Sequence, residues 1–197
     1  MSAPTLRDAA ATLAAAFHDG ALFGYAEPDD ARRAQRLPWL FEGTLLHCRR
    51  HGDIEVVAEA AGVAGWVPGT RLSLTPADLV RTGLIATPAR FGPTPTVRLE
   101  RHERPSEARL ESHLTEATAY LWVLGVDPAR QGEGLGEAVL RSALAEMRAA
   151  GFDRCLLRTD DQPNVAFYEH LGFAVDEHLH GLPSGLPSWI LSRSTGP

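Results

Sequence analysis

A chain of 197 residues is long enough for one domain around a single sizeable core. Its 44% hydrophobic and 22% charged residues are those of an ordinary globular protein, and no apolar run approaches the roughly 20 residues of a bilayer span. A formal net charge of −6 argues against nucleic acid as the main partner, because a phosphate backbone demands a basic face.

All 19 basic residues are arginine, so no lysine is available for any role. The opening Met1-Ser2-Ala3-Pro4-Thr5, with Arg7 and Asp8 behind it, lacks the basic-then-apolar layout of a signal peptide, so a cytoplasmic location is expected. Cys48 and Cys155 lie far apart, and a structural disulfide is not expected in a reducing compartment.

In chain order, Leu6 to Phe17 is Ala-rich with apolar residues at helical intervals and reads as a helix. Pro28-Asp29-Asp30 starts a second helix reaching about His51, with a kink or break expected at Pro38. Ile54 to Ala58 and Gly62 to Pro68 read as paired strands. Thr75-Pro76-Ala77-Asp78 is a helix start before Leu79 to Leu84. Residues 86–96 hold three prolines and a glycine and read as a loop or the break between two short helices. Val97 to Leu114 is charged and helical, with Pro105 expected to divide it. Tyr120 to Val126 is the central strand, and Leu135 to Ala150 is an amphipathic helix closed by Gly151. A strand over Arg154 to Thr159, a short helix over Val165 to Leu171, and strands over Phe173 to His178 and Ser188 to Ser192 complete the chain.

Between the central strand and its helix stands Val126-Asp127-Pro128-Ala129-Arg130-Gln131-Gly132-Glu133-Gly134-Leu135-Gly136. A glycine-rich turn that opens a helix leaves backbone N–H groups unpaired at the positive end of the helix dipole, which makes a socket for phosphate or pyrophosphate. A P-loop is excluded because it requires lysine. The dinucleotide fingerprint Gly-x-Gly-x-x-Gly has another spacing and opens its domain, whereas Gly132-x-Gly134-x-Gly136 lies two thirds along the chain. The remaining pattern is Gln/Arg-x-x-Gly-x-Gly/Ala, which Gln131 to Gly136 fits. A second segment, Asn164-Val165-Ala166-Phe167-Tyr168-Glu169-His170-Leu171-Gly172-Phe173, follows the next strand. The two segments, in this order, resemble the acetyl-CoA motif and the later Asn/aromatic-Tyr motif of the GCN5-related N-acetyltransferases. The Leu124-to-Pro128 lead-in and the short Asn164-to-Tyr168 spacing resemble the puromycin N-acetyltransferase-like subgroup. The resemblance covers about residues 119–192.

The resemblance implies a mixed α/β (α+β) fold: one acetyltransferase-type domain whose mostly antiparallel, splayed sheet of six to seven strands is flanked by helices. The family's first strand is expected to be missing or rudimentary, since only Ser2 to Leu6 precede the first helix. Residues 1–197 are read as one domain, with an acceptor side over about 1–118 and an acetyl-CoA-binding core over about 119–192. The implied activity is transfer of acetyl from acetyl-CoA, the co-substrate, directly to a primary amine of a small molecule. The alternatives are a protein or peptide N-acetyltransferase and a non-catalytic acyl-CoA-binding sensor. No metal and no membrane partner are expected, and a homodimer is the assembly common in the family.

Gln131, Gly132, Glu133, Gly134, Leu135, Gly136 and Glu137 are expected around the diphosphate, with Arg130 and Arg141 offsetting the two carboxylates. Leu124, Gly125 and Val126 are expected to pair with the pantetheine arm as another strand would. Gly125 is either the bulge that opens the sheet or a strand glycine under a close helix. An amide near Leu124 or Gly125 would face the developing oxyanion. Asn164 would bond the pantetheine or cap the following helix at its N-terminus. Tyr168 is the candidate proton donor to the leaving thiolate. Glu111, His113, Glu116 and Tyr120 are open candidates for the base. Trp39, Phe41, Trp66 and Trp122 serve an acceptor pocket or the core. The pairs His47/His51 and His178/His180 fall short of a zinc ligand set.

Overall fold

The computed structural model describes residues 4–196. Helix α1 (Leu6–Phe17) begins with a capping box: the Thr5 hydroxyl accepts from the Asp8 N–H, and the Asp8 carboxylate accepts from the Thr5 N–H. Its buried face, Ala9, Ala10, Leu13 and Ala14, is small enough to lie close on its neighbours. Among the described residues no strand precedes it; the expectation for Ser2 and Ala3 lies outside them.

A short helix α2 (Ala21–Ala26), without periodicity to announce it in sequence, leads to α3 (Asp30–His51). Pro38 does not break α3, which continues through it. The carbonyl Pro38 cannot pair with belongs to the exposed Ala34, where water can satisfy it. The same holds for α6 (Pro93–Glu111), expected in two pieces and found as one: Pro105 frees the carbonyl of the exposed Arg101. Between these long helices lie α4 (Pro76–Thr82), started by a Thr75–Asp78 capping box, and the short α5 (Thr87–Arg90). Residues 86–96 therefore hold α5 and the start of α6, with the break between them at Phe91 and Gly92.

The strands β1 (Asp53–Val57), β2 (Gly62–Pro68), β3 (Thr118–Val126), β4 (Arg154–Thr159), β5 (Ala174–Leu179) and β6 (Ser188–Ser194) form one sheet in the order β1-β2-β3-β4-β6-β5. Every neighbouring pair is antiparallel except β3–β4. Helix α7 (Leu135–Ala149) makes the crossover between those two parallel strands, and α8 (Gln162–His170) connects β4 to β5.

The sheet buries both faces. Ala119, Leu121, Leu157 and Leu191 pack with Val139, Leu140, Ala143 and Met147 of α7 and with Tyr168 of α8. Val63 and Val123 pack on the opposite side with α1 and α3. No helix among the described residues is long and apolar enough to cross a membrane.

Two local features open the sheet beside β3. The β3–β4 pairing runs only from Thr118↔Arg154 to Leu121↔Leu157 and then ends, although both strands continue. At the same level the β2–β3 register slips: Gly65 pairs with Val123 but Trp66 pairs with Leu121, which leaves Trp122 as the extra residue of a bulge. Side chains that would alternate now fall on one side: Trp122 and Val123 both join the α1–α3 core, and Leu124 returns to the α7 side. The bulge is thus at Trp122. Gly125 is three residues beyond it, and a Cβ there would lie 2.9 Å from both Ala16 Cβ and Leu13 Cδ2. Gly125 is glycine because α1 crosses the strand at that point, so its role as the bulge is corrected.

Candidate active site

From Leu124 to Val126, β3 is paired with β2 on one side only. Its other edge faces the gap left by β4 and keeps unused backbone donors and acceptors, which an extended ligand could meet as a strand would. The turn after β3 starts with Asp127, whose carboxylate accepts from the Ala129 N–H. Gly132 and Gly134 take φ of +84° and +77°, left-handed values that glycine adopts without strain. Gly134 caps α7 with no side chain bonded to the helix amides. Among the described residues, the amides of residues 132–137 have no protein acceptor. The result is a run of free N–H groups at a helix start, which is the physical content of an anion socket.

Two carboxylates stand in this turn, and each is neutralised. Arg130 Nη2 donates to Glu133 at 2.6 Å, and Arg141 Nη2 donates to Glu137 at 2.6 Å. The pairing with Glu133 holds the Arg130 guanidinium above its ordinary pKa. Gln131 is exposed at the lip of the turn. Gly136 needs its missing Cβ for another reason, since one would meet the Phe167 ring at 3.2 Å. The turn is thereby packed against α8.

A cavity of about 530 Å³ follows this surface, lined by Leu124, Gly125, Val126, Gln131, Gly132, Gly134, Leu135, Gly136 and Glu137, with Asn164, Phe167 and Tyr168 opposite. A second cavity, of about 300 Å³, lies on the other side of the gap, under α2, α3, α4 and α6. The two share Phe17, Gly20, Leu124, Asp161, Asn164 and Tyr168. Tyr168 is only 8% exposed and packs between Phe167 and Phe173, at centroid distances of 5.1 and 5.4 Å. Burial pushes its phenol pKa well above the ordinary value, so it holds its proton.

Asn164 is not the cap of α8. The helix starts at Gln162 with Asp161 in the cap position, and Asn164 sits in the first turn, donating to the Thr159 hydroxyl at 3.2 Å. Pro163 explains the earlier start, because proline is at home in a first helical turn. The Asn164 amide still borders both cavities.

Residues 96–173 match the acetyltransferase (GNAT) family. That segment, about two fifths of the chain, is similar to the GNAT family. A mycothiol acetyltransferase of Salinispora tropica is 43% identical over 76 residues, which are 37% of this chain and 22% of that protein. One of Beutenbergia cavernae is 48% identical over 71 residues, covering 34% and 24%. The matches thus span less than a quarter of those relatives' length. Among solved structures, SsHAT aligns over 100% of this chain and 98% of its own, with a TM-score of 0.63 and 19% identity. A GNAT-family protein of Desulfovibrio desulfuricans aligns over 96% and 94%, with a TM-score of 0.55 and 20% identity. These two likenesses are of fold: one open six-stranded sheet flanked by helices.

The matched segment takes in most of α6, and here sequence reading missed the most. Of the four open base candidates only Tyr120 lines the second cavity, and burial raises its pKa too. His113 bonds Glu177 at 2.9 Å, Glu111 accepts from Ser73, and Glu116 lies outside both cavities. Glu100, Glu103 and Glu107, spaced to share one face of α6, reach the cavity instead. Burial, with Glu103 adding to it, raises the Glu107 carboxyl to about 7. The spacing was visible, but charge along a helix usually means a solvated face, and nothing in sequence says which face α6 buries. Asp161 was also missed. Its Oδ1 accepts from the Ala21 N–H at 3.1 Å and ties the start of α2 to the junction of the cavities.

The aromatic candidates divide. Phe41 and Trp122 line the second cavity, Trp66 is core on the α7 side, and Trp39 lines neither cavity. Asp78 joins the pair His47/His51, with donor atoms within 4.8 Å of one another. Asp78 is already engaged by His51 Nε2 at 3.0 Å and by its capping box, and His47 Nε2 donates to the Arg71 carbonyl at 2.9 Å. The His178 and His180 rings lie 3.7 Å apart at a tilt of 45°, and His178 stacks on Trp189. Both cysteines are buried and free.

Proposed function

We propose that the protein is an acetyl-CoA-dependent N-acetyltransferase that moves an acetyl group directly onto a primary amine of a small molecule. One observation carries this reading: a cavity along an unpaired strand edge and a glycine-turn socket meets a second, helix-covered cavity at Tyr168. In this reading, the amides from Gly132 to Glu137 hold the diphosphate, and Leu124 to Val126 pair with the pantetheine arm. Gln131 and Asn164 border the cofactor. The chain acts as one domain, with its acceptor side over about 1–118 and its CoA-binding core over about 119–192. The lead-in Leu124 to Pro128 and the Asn164-to-Tyr168 spacing favour the puromycin N-acetyltransferase-like subgroup. A cytoplasmic site of action fits an acetyl-CoA substrate.

The chemistry balances on these groups. A neutral amine nitrogen attacks the thioester carbonyl carbon and forms the C–N bond. The carbonyl oxygen takes negative charge and is met by a backbone N–H near Leu124 or Gly125. The C–S bond then breaks, and the sulfur receives the Tyr168 proton. Tyr168 recovers a proton from the nitrogen as it becomes an amide. The enclosing helices favour a small acceptor, since about 300 Å³ falls at the lower end of small-ligand sites.

The reading is tested by measuring CoA release from acetyl-CoA with a panel of amines and peptides, beside CoA binding. Tyr168→Phe is expected to lower kcat by about 100-fold while CoA affinity holds. Collapse of CoA binding in that variant would make Tyr168 structural. CoA binding without release for any amine or peptide would favour the sensor.

A further inference from the structure

The second cavity has two unlike walls. One is apolar, with Phe23, Leu40, Phe41, Leu79 and Trp122 prominent. The other is the acidic face of α6, continued by Asp160 and Asp161 at the end of β4. Arg158 is the only cation lining this cavity. Its charge is matched by two carboxylates, since Nη2 donates to Glu103 at 2.7 Å and lies 3.5 Å from Asp160, while its buried Nε has no partner. Among the described residues, Glu100 and Glu107 have no ion pair and no hydrogen bond. Glu100 is exposed to water, but Glu107 is half-buried, so a carboxylate with no ion pair borders an apolar pocket. Placing charge there is unfavourable unless something positive enters with the acceptor.

We infer that the acceptor is a primary amine that binds as an ammonium on an apolar body, and that Glu107 takes the proton the ammonium must lose before attack. This deepens the proposed acetyltransferase reading and rests on it. The proton count closes. Ionised Glu107 removes one proton from the ammonium and frees the nitrogen lone pair. The new amide later gives its second proton to Tyr168, which has protonated the thiol. Glu107 releases its proton to water. Hydrophobic burial of the body supplies affinity, and the carboxylate face rejects acids. The groups acting on Glu107 are Glu100, Glu103 and Glu111 of its own helix and Arg158 of β4. The acidic neighbours and burial raise its pKa and Arg158 opposes them, leaving it near 7, where a base is both available and strong.

The test uses phenethylamine, octylamine, glucosamine and phenylalanine as acceptors, with calorimetric binding of each and of CoA. Phenethylamine and octylamine are expected to exceed glucosamine and phenylalanine in kcat/KM by at least about tenfold. For the two favoured amines, kcat/KM rises with pH through about 7 as Glu107 ionises and falls near 10 as the ammonium is lost. Glu107→Gln is expected to lower kcat/KM about 100-fold, abolish the limb near 7 and leave CoA affinity unchanged, with Glu107→Asp recovering part of the rate. Preference for glucosamine or phenylalanine, no saturable binding of either apolar amine, or an unchanged pH limb in Glu107→Gln would overturn the inference and leave the acetyltransferase reading standing. Failure of CoA to bind would instead sink that reading, and amine binding with its loss in Glu107→Gln would still decide this one.

Discussion

The two cavities that meet at Tyr168 are built by opposite means. On the side proposed for CoA the candidate recognising groups are backbone amides, set by Gly132 and Gly134 and by the start of one helix. On the acceptor side they are side chains brought in by α1, α2, α3, α4, α6, β3 and β4. A backbone socket is local and needs a few consecutive residues. A side-chain pocket is assembled from distant segments and depends on how they pack. The first can stay the same while the second changes.

The sharpest way to break this contrast is to give the socket side chains. Gly132→Val with Gly134→Val forces two β-branched residues into left-handed backbone, at about 1–2 kcal/mol each, and turns the amides away from the ligand. CoA affinity by calorimetry should fall by more than about 100-fold, against binding of phenethylamine that stays within about twofold. Equal loss of both ligands would mean that the two cavities are one cooperative unit. A smaller effect is expected at the seam. Asp161→Ala removes the acceptor of the Ala21 N–H, a bond worth about 1 kcal/mol, and loosens α2 over the acceptor cavity. The amine KM should rise about fivefold with little change in CoA affinity. The smallest effect tests electrostatics within the socket. Glu137→Gln removes a negative charge beside the diphosphate and releases Arg141 from its pair, so CoA should bind about two- to fivefold more tightly at low salt. Weaker binding would show that the carboxylate holds the turn in shape.

Much of the glycine turn was legible for the same reason that it is local. Gly132, Gly134 and the Leu135 helix start are neighbours in sequence, and left-handed backbone before a helix is written in residue type. The strands followed from apolar runs bounded by turn residues, and the mostly antiparallel sheet from the resemblance, while the strand order came from the structure. The acceptor side was legible only in pieces. Pro38 and Pro105 suggested breaks because proline ends most helices, yet each frees a carbonyl beside solvent, and the long helices run on. The bulge was sought at Gly125, the glycine of the strand, and lies at Trp122, where a register slip is set by pairing with β2. The proton acceptor was sought near the start of β3, while the exposed-looking charges of α6 turned inward.

By itself, the sequence determined the turn that can hold a diphosphate, the tyrosine motif that follows it, and the run of elements, because each depends on residues a few positions apart. Only the tertiary structure decided that β3 and β4 part after Leu121, that Tyr168 stands where two cavities join, and that Glu107 faces the second cavity with no ion pair among the described residues. Those are matters of which faces are buried together. Burial and the electrostatics that follow from it are properties of packing between distant segments, and no short stretch of chain contains them.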